Sequence, residues 1–70
     1  MDRVELSSSM LASAAHDEDS NVLELEFNVG TVYRYFQVPR HVYEGLMSAA
    51  SPGTFFRQHI FERYPALRLR

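Results

Sequence analysis

The sequence predicts an α+β domain in which a three-stranded antiparallel meander is followed by two α-helices packed on one face (βββαα). Residues Val22–Phe27 alternate apolar and acidic side chains with the period of two that a strand imposes. After Pro39, apolar residues recur instead at spacings of three and four, which is the period of a helix. Strands that precede helices in one short chain are typical of α+β domains.

The length of 70 residues indicates one small domain, which buries roughly 60% of the surface that its unfolded chain exposes. We expect a flexible N-terminus over 1–7, a single domain over 8–64 and a short basic tail over 65–70. There is no cysteine, no long apolar run and no basic-then-apolar leader. These features predict a cytoplasmic protein with no disulfide and no membrane segment.

Three segments have the composition of strands. Ser8–His16 is predicted to form the first, although its alanines would also suit a helix. The acidic residues 17–21 form a turn that leads to the second strand, Val22–Phe27. Asn28–Gly30 is then a hairpin loop before the third strand, Thr31–Val38.

The length of the hairpin loop decides where the tyrosines of the third strand lie. A three-residue loop pairs Leu25 with Tyr33 and places Tyr33 and Tyr35 on the core face, whereas a two-residue loop places them outside. We favour the first register because it also pairs Glu24 with Arg34, which is worth about 0.2–1 kcal/mol. It keeps the Arg34 charge out of the core as well.

Prolines delimit the two predicted helices. Pro39 ends the third strand and suits the first turn of a helix over Arg40–Ala50. Gly45 weakens that helix by up to about 1 kcal/mol relative to alanine, and we interpret it as a close approach to the sheet. The second helix is predicted over Phe55–Tyr64, with Ser51 as its N-cap, Pro52 at its first position and Pro65 as its end.

The sequence does not predict an enzyme. His16, His41 and His59 lack the spacing of metal ligands, so we expect no metal site and no cofactor. The serines do not lie in a nucleophile elbow, and so short a chain has little room for a pocket that would exclude water from a small-molecule substrate.

The distribution of charge suggests RNA as a weakly bound partner. Residues 1–37 carry seven acidic and two basic side chains, and residues 38–70 carry two acidic and five basic ones. All basic residues are arginines, which suit bidentate contacts to phosphate. The net charge of −2 is unfavourable for strong nucleic-acid binding. The candidate binding residues lie mainly on the second helix and tail: Arg40, Arg57, Arg63, Arg68 and Arg70.

Binding of a protein partner is the alternative function. In the favoured register Val32 and Phe36 lie on the sheet face opposite the core, and the edge strands are unpaired. This face would support self-association or addition of a strand from another protein. Phe36 beside Arg34 on the same face, or Tyr33 and Tyr35 in the other register, could instead stack on RNA bases, so the two functions would compete for the sheet.

In their order and spacing these motifs resemble the KTSC domain, over Val4 to Tyr64. That family is named for its occurrence at the C-terminus of some lysyl-tRNA synthetases and also occurs as short bacterial proteins. The resemblance implies a small non-catalytic module and, through the synthetase context, contact with RNA. The chain departs from the family pattern at Ala15-His16-Asp17, where Gly-Tyr-Asp is usual, and at Pro52, where a basic residue is common. The motif positions are Tyr33, Tyr35, Pro39, Ser51 and Gly53.

Overall fold

The computed structural model describes residues 1–70 and contains five strands and two helices. The strands form one antiparallel sheet whose spatial order is the order of the sequence. The helices lie between the last two strands of the chain, so the final strand returns to pair with the strand that precedes the helices. The α+β class is confirmed. The elements are β1 (Arg3–Glu5), β2 (Leu11–Asp17), β3 (Val22–Phe27), β4 (Val32–Tyr35), α1 (Arg40–Ser48), α2 (Pro52–His59) and β5 (Ala66–Arg68).

The β3–β4 hairpin has the predicted three-residue register. Leu25 pairs with Tyr33, and Glu24 pairs with Arg34. Gly30 in the loop has a φ of +101°, a conformation that glycine adopts without steric cost. Because alternate residues of a strand share a face, Tyr33 and Tyr35 lie with the leucines of β3 beneath the helices.

The prediction of three strands is wrong, because the sheet has five. β1 lies in the segment 1–7 that we expected to be flexible, and β5 lies in the predicted basic tail. Every side chain of both strands is exposed, so neither has the apolar alternation by which a strand is recognised. Contacts across the sheet stabilise them, since Arg3 of β1 and Arg70, two residues after β5, form ion pairs with Glu24 and Glu26 of β3.

The first long strand starts later than predicted. Ser8 lies in a turn, where its Oγ accepts hydrogen bonds from the N–H groups of Met10 and Leu11 at 3.1 and 3.2 Å. Serine commonly forms such local bonds in preference to a strand ladder. β2 therefore begins at Leu11 rather than at Ser8, and its pairing with β3 is irregular between Leu11 and Ser13.

The passage from β4 to α1 also differs from the prediction. β4 ends at Tyr35 because Gln37 has a φ of +63° and turns the chain out of the strand. The next residue, Val38, is fully buried, and its N–H donates to the Asn21 carbonyl at 2.8 Å. Pro39 has an extended conformation and is the N-cap of α1, so it precedes the first helical turn rather than occupying it.

The start of α2 is as predicted and its end is not. The Thr54 N–H donates to Ser51 Oγ at 3.3 Å, and Pro52 occupies the first helical position. This confirms Ser51 as the N-cap. The helix ends at His59, five residues before the predicted Tyr64.

The core lies between the sheet and the two helices. Gly45 contacts α2 rather than the sheet, because a Cβ at this position would lie 2.7 Å from Phe55 Cζ. The interpretation of Gly45 as an approach to the sheet is therefore wrong. With nine and eight residues, α1 and α2 fall well short of the length that a membrane-spanning helix requires. One cluster of buried residues joins both layers: Leu11, Ala14, Leu23, Leu25, Tyr35, Val38, Tyr43, Leu46, Phe56 and Ile60.

Candidate functional site

Five aromatic side chains meet where the β3–β4 hairpin packs against α2. The Phe27 ring is edge-on to Tyr33 and Phe56, with centroid distances of 6.0 and 5.4 Å. Tyr35 is edge-on to Phe56 at 5.9 Å and stacked on Tyr33 at 6.2 Å. Phe61 continues the cluster, 5.8 Å from Phe56. These distances are favourable for aromatic pairs, and the cluster extends from the core to the surface.

The outer side of this cluster is an open cleft of about 240 Å³. Tyr35 and Phe56, each 5% exposed, form its floor, while Phe61 at 51% and Val29 at 87% form its rim. Burial raises the pKa of Tyr35 to about 12, so this tyrosine is neutral at physiological pH. The cleft is therefore an uncharged, mostly aromatic surface lined by Phe27, Val29, Thr31, Tyr33, Tyr35, Phe56 and Phe61.

The early end of α2 brings Phe61 to this cleft. The N–H groups of Ile60 and Phe61 both donate to the Phe56 carbonyl, at 2.9 and 2.8 Å. Ile60 stays fully buried, and Glu62 has a φ of +62°, which reverses the chain toward β5. Phe61 is held at the surface because its neighbour Ile60 occupies the core.

Ion pairing divides the arginines of the chain into two groups. Of the seven arginines, four form ion pairs with glutamates. The other three, Arg57, Arg63 and Arg68, form none and are exposed. All three belong to the set that the sequence predicts as RNA contacts. Arg68 Nε donates to the Arg70 carbonyl at 3.3 Å, and the other guanidinium N–H groups of the three arginines are available to an external anion.

The unpaired arginines lie around the cleft. Arg57 and Arg63 line a shallow depression together with Phe61, which also belongs to the cleft. Arg68 is opposite Tyr33 in the β4–β5 pair, on the same side of the sheet. Glu62 is the one acidic residue that lines the depression. We name the cleft together with Arg57, Arg63 and Arg68 the aromatic–arginine patch.

The other two predicted arginines lie elsewhere. Arg40, on α1, pairs with Glu44 at 3.4 Å and lies 5.1 Å from the centre of the Tyr43 ring. Arg70 pairs with Glu26 at 3.3 Å. Glu26 projects from the sheet face opposite the helices, so the structure separates Arg40 and Arg70 from the patch.

The glutamates of β3 form a paired network on that opposite face. Glu24 accepts hydrogen bonds from Arg34, at 2.9 Å, and from Arg3. The bond from Arg34, followed by that from Arg3, holds the pKa of Glu24 below its ordinary value of 4.5. Glu26 pairs with Arg70 on the same face. Both carboxylates are therefore paired with arginines and lie away from the cleft.

Comparison with known proteins identifies the family. Residues 7–64 match the sequence profile of the KTSC domain. The chain belongs to the KTSC family. The crystal structure of a KTSC domain protein from Yersinia pestis matches this fold with a TM-score of 0.93 and 33% sequence identity, over 99% of this chain and 97% of that one. The resemblance inferred from the sequence is confirmed.

Relatives of this KTSC domain include both short and long proteins. An uncharacterised protein of Stutzerimonas stutzeri is 45% identical over 58 residues, which cover 83% of this chain and 82% of the relative. The lysine–tRNA ligase of Nostoc punctiforme is 36% identical over 52 residues, which cover 74% of this chain and 9% of the ligase. The matching segment is a small part of that enzyme.

Most of the KTSC motif positions have a structural role here. Tyr35 is in the core, Pro39 is the N-cap of α1 and Ser51 is the N-cap of α2. Gly53 is buried in the first turn of α2. Of the five motif residues, Tyr33 is the one that is both half-buried and exposed to the cleft. The motif therefore explains the fold more than it explains a binding site.

The histidines lie in three separate places. His16, at a position where the family favours tyrosine, is 7% exposed, and its Nε2 lies 2.7 Å from the Val38 carbonyl. Its ring is stacked on Tyr43, with the centroids 5.3 Å apart. His41 and His59 are exposed on α1 and α2. No three side chains of the types that bind metals lie together.

Sequence reasoning missed two residues of the patch, Phe61 and Val29. Phe61 follows the apolar stripe of Phe56 and Ile60 by one position, so an unbroken helix would place it beside the core rather than over the cleft. The sequence feature that could have identified Phe61 is its position as an aromatic residue outside the periodic stripe. Val29 was assigned only to the hairpin loop. An apolar side chain in an exposed turn is the sequence feature that could have identified it as part of a binding surface.

Proposed function

We propose that this KTSC domain is a non-catalytic module that binds RNA weakly through the aromatic–arginine patch. The observation that carries the proposal is that the three arginines without an ion pair lie around a cleft of aromatic rings. Unpaired guanidinium groups bind phosphates, and aromatic rings stack on bases. The patch offers both kinds of contact on one side of the molecule.

The separation of charge across the sheet supports this function despite the net charge of −2. The carboxylates of Glu24 and Glu26 are paired on the opposite face, so they do not line the cleft. Glu62 is the carboxylate that lines the depression beside the cleft. Related segments also occur in lysine–tRNA ligases, whose name associates the family with tRNA.

Charge reversal at the patch tests the proposal. We expect the double variant Arg57→Glu, Arg63→Glu to bind labelled single-stranded RNA and tRNA at least tenfold more weakly in fluorescence anisotropy. The slope of log affinity against log salt should decrease by about 0.7 for each lost phosphate contact with a single strand. The matched control is Arg40→Glu, which reverses an exposed arginine outside the patch and should change affinity little. Absence of binding, or equal losses in both variants, would overturn the proposal.

Removal of the acidic residue beside the patch should have the opposite effect. Glu62→Gln keeps the size of the side chain and removes a charge that repels phosphate. We expect the variant to bind RNA more tightly than the unchanged protein at low salt. The gain in affinity should become smaller as the salt concentration rises. Glu44→Gln, which alters an exposed glutamate of α1, is the control.

Binding of a protein partner, including a second copy of the chain, is the second candidate function. The exposed side chains of Leu67 and Leu69, at 53% and 42%, favour it. Leu67 is opposite Arg34 on the face away from the helices, and Leu69 lines a depression there. Val32 contributes little exposed apolar surface to this face, because β5 lies beside β4 and Val32 is only 6% exposed.

Molar mass measured over a concentration series tests self-association. A dimer that dissociates in the Leu67→Asp variant would support the second candidate. Phe36→Asp, at a half-buried aromatic residue that directly follows β4, provides an independent variant. A monomer at every concentration would contradict self-association.

A further inference from the structure

We propose that the cleft binds one unpaired base against Tyr33 and Phe61, so that the domain selects single-stranded over double-stranded RNA. This inference rests on the proposed function and adds the element of RNA that the patch recognises. It assigns separate roles to the two parts of the patch. The arginines contact phosphates, which every RNA carries, and the cleft contacts a base face, which only an unpaired nucleotide presents.

The lining of the cleft suits a flat aromatic group. Six of its seven lining residues are hydrophobic, and five of these carry aromatic rings. The remaining residue, Thr31, and the tyrosine hydroxyls supply the polar atoms near it. A base has an apolar face and a polar edge, and aromatic side chains stack on such faces without regard to sequence.

The arginines near the cleft favour a ligand in which the base is attached to a phosphate backbone over an uncharged ligand. Arg68 is opposite Tyr33 in the β4–β5 ladder, and Arg57 lines a depression together with Phe56 and Phe61. A strand that inserts one base would place its flanking phosphates near both arginines. No carboxylate lines the cleft itself. An uncharged apolar ligand would fill the cleft but would leave these arginines without a partner.

A base stacks on the cleft only through a free face. The floor of the cleft, Tyr35 and Phe56, is 5% exposed, whereas the rim residues Phe61 and Val29 are 51% and 87% exposed. The exposed ring of Phe61 and the half-buried ring of Tyr33 are therefore the ones that a base can reach. In a duplex the base faces are covered by neighbouring base pairs, and a base becomes available only when it leaves the stack.

Three RNA ligands of equal length separate the base from the backbone: a single strand, its duplex, and a single strand with abasic sites throughout. We expect the single strand to bind about 5- to 150-fold more tightly than the abasic strand, which is the range expected of one base stacked on an aromatic ring. We expect the duplex to bind like the abasic strand. All three should retain a salt dependence, because all three carry phosphates.

Variants that remove a ring but keep an apolar side chain locate the effect. Phe61→Leu and Tyr33→Leu should each remove the preference for the single strand and leave the affinity for the abasic strand unchanged. Phe36→Leu removes an aromatic ring that does not line the cleft and should keep the preference. Circular dichroism and thermal unfolding verify that each variant is folded, and the two cleft variants provide independent tests.

Tyrosine fluorescence gives a second readout, because the chain contains no tryptophan. A base stacked on Tyr33 should quench part of the emission, and the abasic strand should not. Tyr33→Phe should keep the preference for the single strand and lose most of the quenching. This result would separate stacking in the cleft from a change elsewhere.

The outcomes distinguish the inference from the function on which it rests. Equal affinity for the single strand and the abasic strand would overturn base recognition and leave RNA binding intact. An equal loss for all ligands in Phe61→Leu would also overturn it, since the ring would then support the phosphate contacts only. Absence of salt-dependent binding to any ligand would overturn both.

Discussion

Glu24 shows how one side chain joins three strands on the solvent face of the sheet. Its carboxylate accepts hydrogen bonds from Arg34 on β4 and from Arg3 on β1, and its side chain is 12% exposed. Hydrogen bonds to a charged group stabilise a fold more than neutral ones do. The sequence predicted the pair with Arg34 from the hairpin register, whereas the pair with Arg3 depends on a strand that the sequence did not reveal.

Glu24→Gln should lower the free energy of unfolding by about 1–2 kcal/mol at pH 7. Because the pKa of Glu24 is lowered in the fold, its contribution is present above the pKa of the unfolded state, near 4.3. The contribution is lost as pH falls through the lower, folded pKa. Urea unfolding at pH 7 and in steps below pH 4.5 measures this, and the stability of the variant should depend less on pH in that range.

Glu44→Gln is the control for this prediction. Its pair with Arg40 is between residues four apart on an exposed helix face, and such pairs contribute about 0.3–0.5 kcal/mol. A loss in Glu44→Gln as large as that in Glu24→Gln would contradict the role given to the network.

At the scale of elements, helix α1 approaches helix α2 at Gly45. The sequence indicated a close approach there but assigned it to the sheet, because a glycine reports only that space is limited and not which element limits it. The partner is Phe55, whose ring occupies the space that a Cβ would need. The contact depends on the angle between two helices, which is a tertiary feature.

Gly45→Ala should not produce the gain of up to about 1 kcal/mol that alanine usually brings to a helix interior. The new Cβ would lie 2.7 Å from Phe55 Cζ, so the ring must move. We expect a loss of up to about 2 kcal/mol, since overpacking typically costs about 1–3 kcal/mol. In a Phe55→Ala background the same change should stabilise the protein. Denaturation of the four proteins of this cycle measures the coupling, and additive effects would contradict it.

The outer strands β1 and β5 belong to the same scale. Each has three residues and carries arginine or glutamate, and charged, short edge strands resist pairing with other chains. Their formation depends on the ladders of β2 and β4 and on ion pairs with β3. Neither the backbone ladders nor the ion pairs can be seen in the local sequence of these strands. Only the three central strands of the sheet could therefore be predicted.

At the scale of the molecule, one aromatic cluster serves both the core and the surface. Phe56 contributes to the buried cluster and to the floor of the cleft, while Phe61, five residues later, is 51% exposed. The stability of the fold therefore depends mainly on Phe56, whereas Phe61 shapes the rim of the cleft and contributes little to the core.

Phe56→Ala should cost about 3–5 kcal/mol, as expected for a buried phenylalanine. This is a large fraction of the total stability of a small domain, which is about 5–15 kcal/mol. Phe61→Ala should cost less than about 1 kcal/mol, because its ring is half exposed. Chemical denaturation followed by tyrosine fluorescence and by circular dichroism measures both. Similar costs for the two variants would contradict the division between core and cleft.

The sequence by itself indicated the central hairpin, favoured its observed register, and predicted the N-cap of α2 and the family. Each of these follows from short-range features: the alternation of β3, the length of one loop, and serine or proline at a helix end. Tertiary structure alone decided the two outer strands, the early end of α2, and the convergence of Phe61, Tyr33 and three unpaired arginines on one cleft. These depend on contacts between residues distant in sequence, where burial of Ile60 and pairing of charges across the sheet outweigh local preference.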